Sequence, residues 1–223
     1  MASTVDICNL ALSHLGNKAQ VVSISPVDGS VEADYCARFF SIARDEVLEM
    51  NDWTFARTRT ILSPLSTNPS NVWAYAYMRP ADCITPRRMQ PTGDSTLHED
   101  DSVDFDQEGD VLLTNVASAI LIYTRPVEDP TRFSPGFVTA LSYKLAAYLA
   151  GPILRGESGG AAASSLHNIA AKKAKEATSY DANRSWRSDE FVPSMVAARG
   201  GTVPGNATGS NPVIYPQSGY AIS

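Results

Sequence analysis

Between Val31 and Met50 apolar residues return every three or four positions, at Tyr35, Phe39, Ala43, Val47 and Met50, with Cys36 and Phe40 widening the stripe. This spacing predicts a long helix with one buried face and an opposite face carrying Arg38, Arg44, Asp45 and Glu49. Asn51-Asp52 breaks the period, and Trp53 and Phe55 follow at strand spacing. The helix is therefore expected to turn a corner pinned by Trp53, with Trp73 as a second fold anchor. Upstream, Ser3 and Thr4 can cap a first helix with Asp6 in its opening turn and Val5, Cys8, Leu12 and Leu15 on one side. Gly16-Asn17 ends it. A loop with a short β-prone run (Val21, Val22, Ile24) leads to Asp28-Gly29-Ser30, which can cap the long helix, and the two helices are expected to form a helical hairpin.

After Trp53 the period changes to two. ARTRTILS, WAYAYM, DCITPRRM, SVDFD, DVLLT and AILIYT are short, rich in β-branched and aromatic residues, and separated by Pro, Gly, Asn and Asp, so all six read as strands. Val103 and Phe105 alternate with acids, and the chain turns at Gln107-Glu108-Gly109-Asp110 into Val111-Leu112-Leu113, a β-hairpin with one apolar side. Ala119 to Thr124 is the most continuously apolar run and predicts the buried central strand. Ser134-Pro135 is a strong helix start, followed by a stripe of Phe137, Val138, Leu141, Leu145, Tyr148 and Leu149. Gly151-Pro152 is expected to end or kink that helix, and Arg155 to Gly160 to form a flexible joint. A fourth, Ala-rich helix is expected from about Ala161 to Tyr180, with Leu166, Ile169, Ala170, Ala174 and Ala177 inward and Lys172, Lys173 and Lys175 outward.

These elements predict an α+β fold: a four-helix bundle built from both ends of the chain, an inserted antiparallel β block, and an extended C-terminal tail. The corresponding segments are 1–52 and 133–180 for the helices, 53–132 for the β region and 181–223 for a Gly/Pro-rich tail. That tail has no stripe of either period, yet it carries Trp186, Phe191, Val192, Met195, Val213, Ile214, Tyr215 and Tyr220. A segment that cannot fold alone but holds apolar anchors suits a partner surface.

Composition narrows the function. The 223 residues with 43% hydrophobic content support a real core, and Cys8, Cys36 and Cys83 have neither disulfide-framework nor zinc spacing, which fits a reducing compartment. No signal peptide and no run approaching a membrane span are expected. Net charge is −6, but eight acids and no base lie between Asp94 and Asp110; setting those eight aside from the 24 acids leaves 16 against 18 basic residues. The acidity is local, and a nucleic-acid binder's basic face is not indicated.

Motifs for chemistry are sparse. Asp104-Phe-Asp106-Gln-Glu108-Gly109 matches the start of a calcium loop, but its twelfth position is Asn115 where a bidentate Glu is needed, and the flanks alternate like strands. A solvated hairpin edge fits better. His14, His98 and His167 lie in three segments without ligand-spaced partners, and Cys36 sits on an apolar stripe, where burial outweighs a thiol–His pair. Nucleophile-elbow, phosphate-loop, zincin and dinucleotide motifs are absent. Arg87-Arg88 reads as a surface pair. No catalytic, cofactor or metal residues are expected.

Taken in order, ALSHLG, YCARFFSIARDEVLEMNDWTFARTRTIL, VWAYAYMRPADCI, FDQEGDVLLTN and FVTALSYKLAAYLAGPIL resemble the head-to-tail adaptors of short-tailed bacteriophages, the tail tubular protein A type, over roughly residues 5 to 180. The most specific pieces are Asn51-Asp52-Trp53-Thr54-Phe55-Ala56 and Tyr77-Met78-Arg79-Pro80-Ala81-Asp82-Cys83. The resemblance implies a non-enzymatic virion protein without cofactors. It implies a dodecameric ring under the portal protein that forms the platform for nozzle or other tail proteins, with genomic DNA passing through its channel without sequence-specific contact. Its location would be the head–tail interface of the virion, and the host cytoplasm during assembly, away from any membrane. On this reading Trp186, Phe191, Val192, Met195 and Tyr215 are expected as partner anchors, with Lys172, Lys173 and Arg187 as polar contacts. Asp100, Asp101, Asp104, Asp106, Glu108 and Asp110 are candidates to line or rim the channel. The alternatives are a tail-associated cell-wall hydrolase using two carboxylates of the 99–110 cluster, and another neck or tail completion protein.

Overall fold

A computed structural model describes residues 2–93 and 102–182. The chain divides into two units, 1–184 and 185–223, and every described residue belongs to the first. Four α-helices and two three-stranded antiparallel sheets make the described part a mixed α+β structure.

Helix α1 (Thr4–His14) starts as a capping box, because the Ser3 hydroxyl accepts from the Asp6 amide while the Asp6 carboxylate accepts from the Ser3 amide. Its buried residues are Ile7, Cys8, Ala11 and Leu12, so the inner face is turned from the expected stripe and Val5 and Leu15 lie at its margin. Helix α2 (Val31–Met50) begins at Ser30, whose hydroxyl accepts from the Ala33 amide. Its inner face is Ala33, Cys36, Phe40, Ala43, Arg44, Val47 and Leu48. Two expectations are corrected here: Met50 points out, and Arg44 points in, its stem buried and its guanidinium returned to Asp45 at 2.8 Å. The helical hairpin is corrected as well, since α1 and α2 each pack most closely on α3 (Pro135–Leu154).

The position of α3 explains its composition. Ten of its residues are buried, around most of its circumference, because α1, α2 and α4 (Gly156–Ala182) all pack on it. By length and composition alone this helix is apolar enough to cross a membrane, with mean hydropathy 1.3, contrary to the expectation that no such run exists; more than half of it is buried in the protein. Ser134 caps it by accepting from the Phe137 amide. Pro152 falls in the last turn without ending the helix, which continues to Leu154. The expected six-residue joint shrinks to Arg155 (φ +52°), with the reversal completed at Gly156 (φ +67°), the first residue of α4. The remaining glycines enter α4, where Gly159 lies so close to α3 that a Cβ would come within 3.0 Å of the Ala150 carbonyl oxygen.

Gly136 makes the same kind of close approach at the other end of α3: a Cβ there would sit 2.5 Å from the Ala177 Cβ. Gly136→Ala is therefore expected to destabilise by about 1–3 kcal/mol through overpacking. Adding Ala177→Gly is expected to recover part of the loss, which a double-mutant cycle by denaturant unfolding will measure.

All six predicted strands form: β1 (Arg57–Ile61), β2 (Tyr75–Met78), β3 (Thr85–Pro91), β4 (Phe105–Glu108), β5 (Val111–Thr114) and β6 (Ala119–Thr124). They divide into two sheets ordered β1-β6-β3 and β2-β5-β4, with β6 central and largely buried as its apolar run indicated. Residues of both sheets, including Tyr77, Met89, Leu112, Leu121 and Tyr123, fill one core. The other core joins all four helices with Trp53, Ala56, Val127 and Phe133.

Trp53 is fully buried and its indole N–H donates to the Val47 carbonyl at 2.8 Å. The Phe137 ring meets it edge-on at 5.0 Å, and Phe55 and Phe133 complete the cluster at 5.0 and 4.7 Å from Phe137. The end of α2 and the start of α3 thus meet at one aromatic junction. Trp73, by contrast, lies half-exposed in the loop before β2 and belongs to neither core.

Candidate interaction surfaces

The residues from Asn51 to Arg57 hold the helical and sheet parts together, each through a different contact. Asp52 accepts from Arg57 and Arg88, both at 2.9 Å. Thr54 donates from its amide (2.7 Å) and hydroxyl (2.8 Å) to Asp181, so the end of α4 is tied to the same corner. Arg87 closes the set. Strand β3 carries a bulge between Pro86 and Arg88, and the extra residue, Arg87, reaches the C-terminal end of α2. Its guanidinium donates to the carbonyls of Leu48 (3.0 Å), Glu49 (2.8 Å) and Asn51 (2.8 Å) and through Nε to the Thr124 hydroxyl (2.8 Å). Those carbonyls include groups that a helix end leaves without intrahelical partners, and a cation suits the negative end of the helix dipole. The expected surface pair Arg87-Arg88 is corrected to a structural clasp.

The acidic hairpin stands on the second sheet. Glu108 pairs with Val111 across a two-residue turn in which Gly109 takes φ +62°, a conformation glycine adopts without strain. Asp104, Asp106, Glu108 and Asp110 are all exposed, and Asp100 and Asp101 lie outside the described residues. The Asp106 carboxylate accepts from the Gln107 amide at 2.8 Å, so a side chain occupies the strand-edge donor and blunts sheet-to-sheet pairing. Arg79 steadies the tip, bonding Asp110 at 3.3 Å and the Cys83 carbonyl at 3.2 Å. Asp82 accepts from the Tyr123 hydroxyl at 2.9 Å, and burial followed by that carboxylate pushes the phenol up to about 12. The segment from Tyr77 to Cys83 therefore holds the hairpin tip through Arg79 and reaches β6 of the other sheet through Asp82. Among the described residues, no group of three or more His, Cys, Asp or Glu side chains is placed to hold a metal ion.

On the α2–α3–α4 side, Glu46, Lys144, Tyr148 and His167 form a polar seam. Lys144 is buried and its ammonium lies 2.6 Å from Glu46, while the Tyr148 hydroxyl donates to the other oxygen of the same carboxylate. Burial works to raise the Glu46 pKa, but bonds from Lys144 and Tyr148 outweigh it and hold the carboxyl below its ordinary value. Burial, with the carboxylate, pushes Tyr148 up to about 12. His167 meets the Tyr148 ring edge-on at 5.5 Å. A carboxylate claimed by two donors and kept ionised is a structural anion here, unlike a general acid, whose pKa must rise.

The chain matches no family model and no curated protein. Of the remaining predicted contact residues, Lys172 is exposed on α4 and Lys173 is half-exposed and paired with Glu176 at 2.8 Å. Trp186, Arg187, Phe191, Val192, Met195 and Tyr215 lie outside the described residues.

His14 gives a pH dependence. Its ring stacks on Tyr143 at 3.9 Å, and its Nε2 lies 3.1 Å from the Ser142 hydroxyl, which itself donates to Thr139. With that hydroxyl proton committed, Nε2–H is the donor and Ser142 the acceptor. Burial lowers the His14 pKa from its usual 6.5, and burial followed by Lys144 lowers that of His167. A depressed folded pKa contributes stability that is present above the unfolded value and lost as pH falls through the folded one. Chemical denaturation from pH 7.5 to 5 is expected to show falling stability, with a shallower slope for His14→Phe, which retains the stacked ring.

Proposed function

We propose that this chain is a structural virion protein, a head-to-tail adaptor whose copies form a ring, bind the portal protein and seat nozzle or other tail proteins. The observation that carries the reading is the ordered resemblance to short-tailed phage adaptors over roughly residues 5 to 180. Its two most specific pieces coincide with the clasp at 51–57 and the hairpin anchor at 77–83, so the residues that carry the likeness also carry long-range contacts. On this reading the four helices act as one bundle forming the subunit body, the acidic hairpin is its charged face, and residues 183–223 serve as a tail along the portal or a neighbouring subunit. The hairpin's exposed acids suit a channel or rim, because carboxylates repel duplex phosphates and let DNA pass without sticking. Twelve copies, a place at the head–tail interface, and assembly in the host cytoplasm belong to the same proposal.

The hydrolase alternative needs two carboxyl groups facing each other across a substrate cleft. The described hairpin acids instead run along one exposed strand edge and its turn. Two assays separate the readings: gradient co-sedimentation with the portal protein of the same genome, and zymography on peptidoglycan. The adaptor reading predicts co-sedimentation and no clearing; clearing without portal binding contradicts it. A truncation that tests the tail must begin after Ala182, because Asp181, expected at the start of the tail, is a buried residue of α4 that holds Thr54.

A further inference from the structure

Two adjoining hollows, of about 370 and 340 Å³, lie beside the N-terminal turns of α3 and share Pro135. The first runs between Gly136 and the end of α4 at Ala177 and Tyr180; the second is walled by Phe133 and Val138. Their lining is mostly apolar, and Tyr180 stands at the rim with 76% of its surface exposed. Close contact of Gly136 with Ala177 sets the floor of the first hollow, so this surface follows from the helix approach described above.

We propose that these hollows receive the apolar segment 186–195 of a neighbouring copy, so that copies of this chain join head to tail. Three observations choose the segment. The described chain ends at Ala182, directly after Tyr180 and Asp181, which line the first hollow. Another 41 residues follow, and their first apolar anchors are Trp186, Phe191 and Val192. Trp186 and Phe191 are five positions apart, so a stretch of chain reaching at most about 17 Å carries two large apolar anchors for two hollows that meet at Pro135. A copy thus carries an acceptor and, starting beside it, a donor. Such a heterologous contact repeats from copy to copy and closes into a ring when the rotation permits. The choice of a neighbouring copy rests on the ring-forming reading above.

Complementation between full-length variants tests this contact. Val138→Glu damages the acceptor and leaves the donor intact; Trp186→Ala with Phe191→Ala does the reverse. Thr139→Arg is a second acceptor variant, used if circular dichroism shows that Val138→Glu does not fold. In sedimentation velocity the wild type is expected to associate, and each variant alone to remain a single copy. Mixed one to one, the two variants are expected to give a species of two copies, because one intact acceptor and one intact donor remain. A mixture that stays as single copies overturns the proposal, as does a wild type that stays single at every concentration. If the mixture fails while wild type still joins a portal ring, the contact is wrong and the adaptor reading stands. If wild type neither associates nor joins the ring, both fall.

Discussion

Trp53→Ala will lower the unfolding free energy by about 3–5 kcal/mol, the range for removing a large buried aromatic. The side chain is fully buried and touches the Phe55 and Phe137 rings, so its loss opens a cavity where the end of α2 meets the start of α3. It also leaves the Val47 carbonyl without the indole donor. The walls cannot collapse freely, because Thr54 on one side is bound to Asp181 and Asp52 on the other to Arg57 and Arg88. Trp53→Phe keeps most of the ring and loses the hydrogen bond, so it is expected to cost less than half as much. Urea unfolding of both variants checks the ordering, and equal losses would mean that the bond, and not the packing, holds the corner.

Arg87→Met is expected to destabilise by about 2–4 kcal/mol, since charge-assisted bonds contribute more than neutral ones and part of the lost set is recovered by water. One guanidinium serves three carbonyls at the end of α2 and a hydroxyl on β6, joining a helix to the central strand of a sheet. Methionine retains much of the stem's volume but no donor. Arg87→Lys restores the charge without the planar fork and is expected to recover only a minor part of the loss. Hydrogen exchange adds a spatial readout: protection is expected to fall first at the last turn of α2 and along β3.

The local rules carried a large part of this fold. Ser3, Ser30 and Ser134 were legible as helix starts because a cap is a relation among neighbours, and the strands were legible because alternation and turn residues are local too. What escaped depends on partners distant in sequence. Asp181 is 127 positions from Thr54 and reads as the start of a polar tail. Arg87 faces α2 only because a bulge re-aims it, and Pro86 marks an edge or a bulge without telling which element the next residue will reach. Arg44 looks like a solvent-side charge until α3 packs over the neighbouring turns. Glycines 159 and 160 read as a joint, although Gly159 is there to let α4 approach the Ala150 carbonyl. Of the interaction residues, the hairpin acids from Asp104 to Asp110 were placed correctly on an exposed hairpin, while the anchors from Trp186 to Tyr215 lie outside the described residues.

The central claim is that this chain is a ring-forming adaptor, and native mass spectrometry of the full-length protein mixed with the portal protein of the same genome tests it most directly. The account predicts a complex of one portal ring with twelve copies of this chain, lost when residues 183–223 are removed and the described body remains folded. Failure to form any complex with the portal across a range of salt concentrations would contradict it.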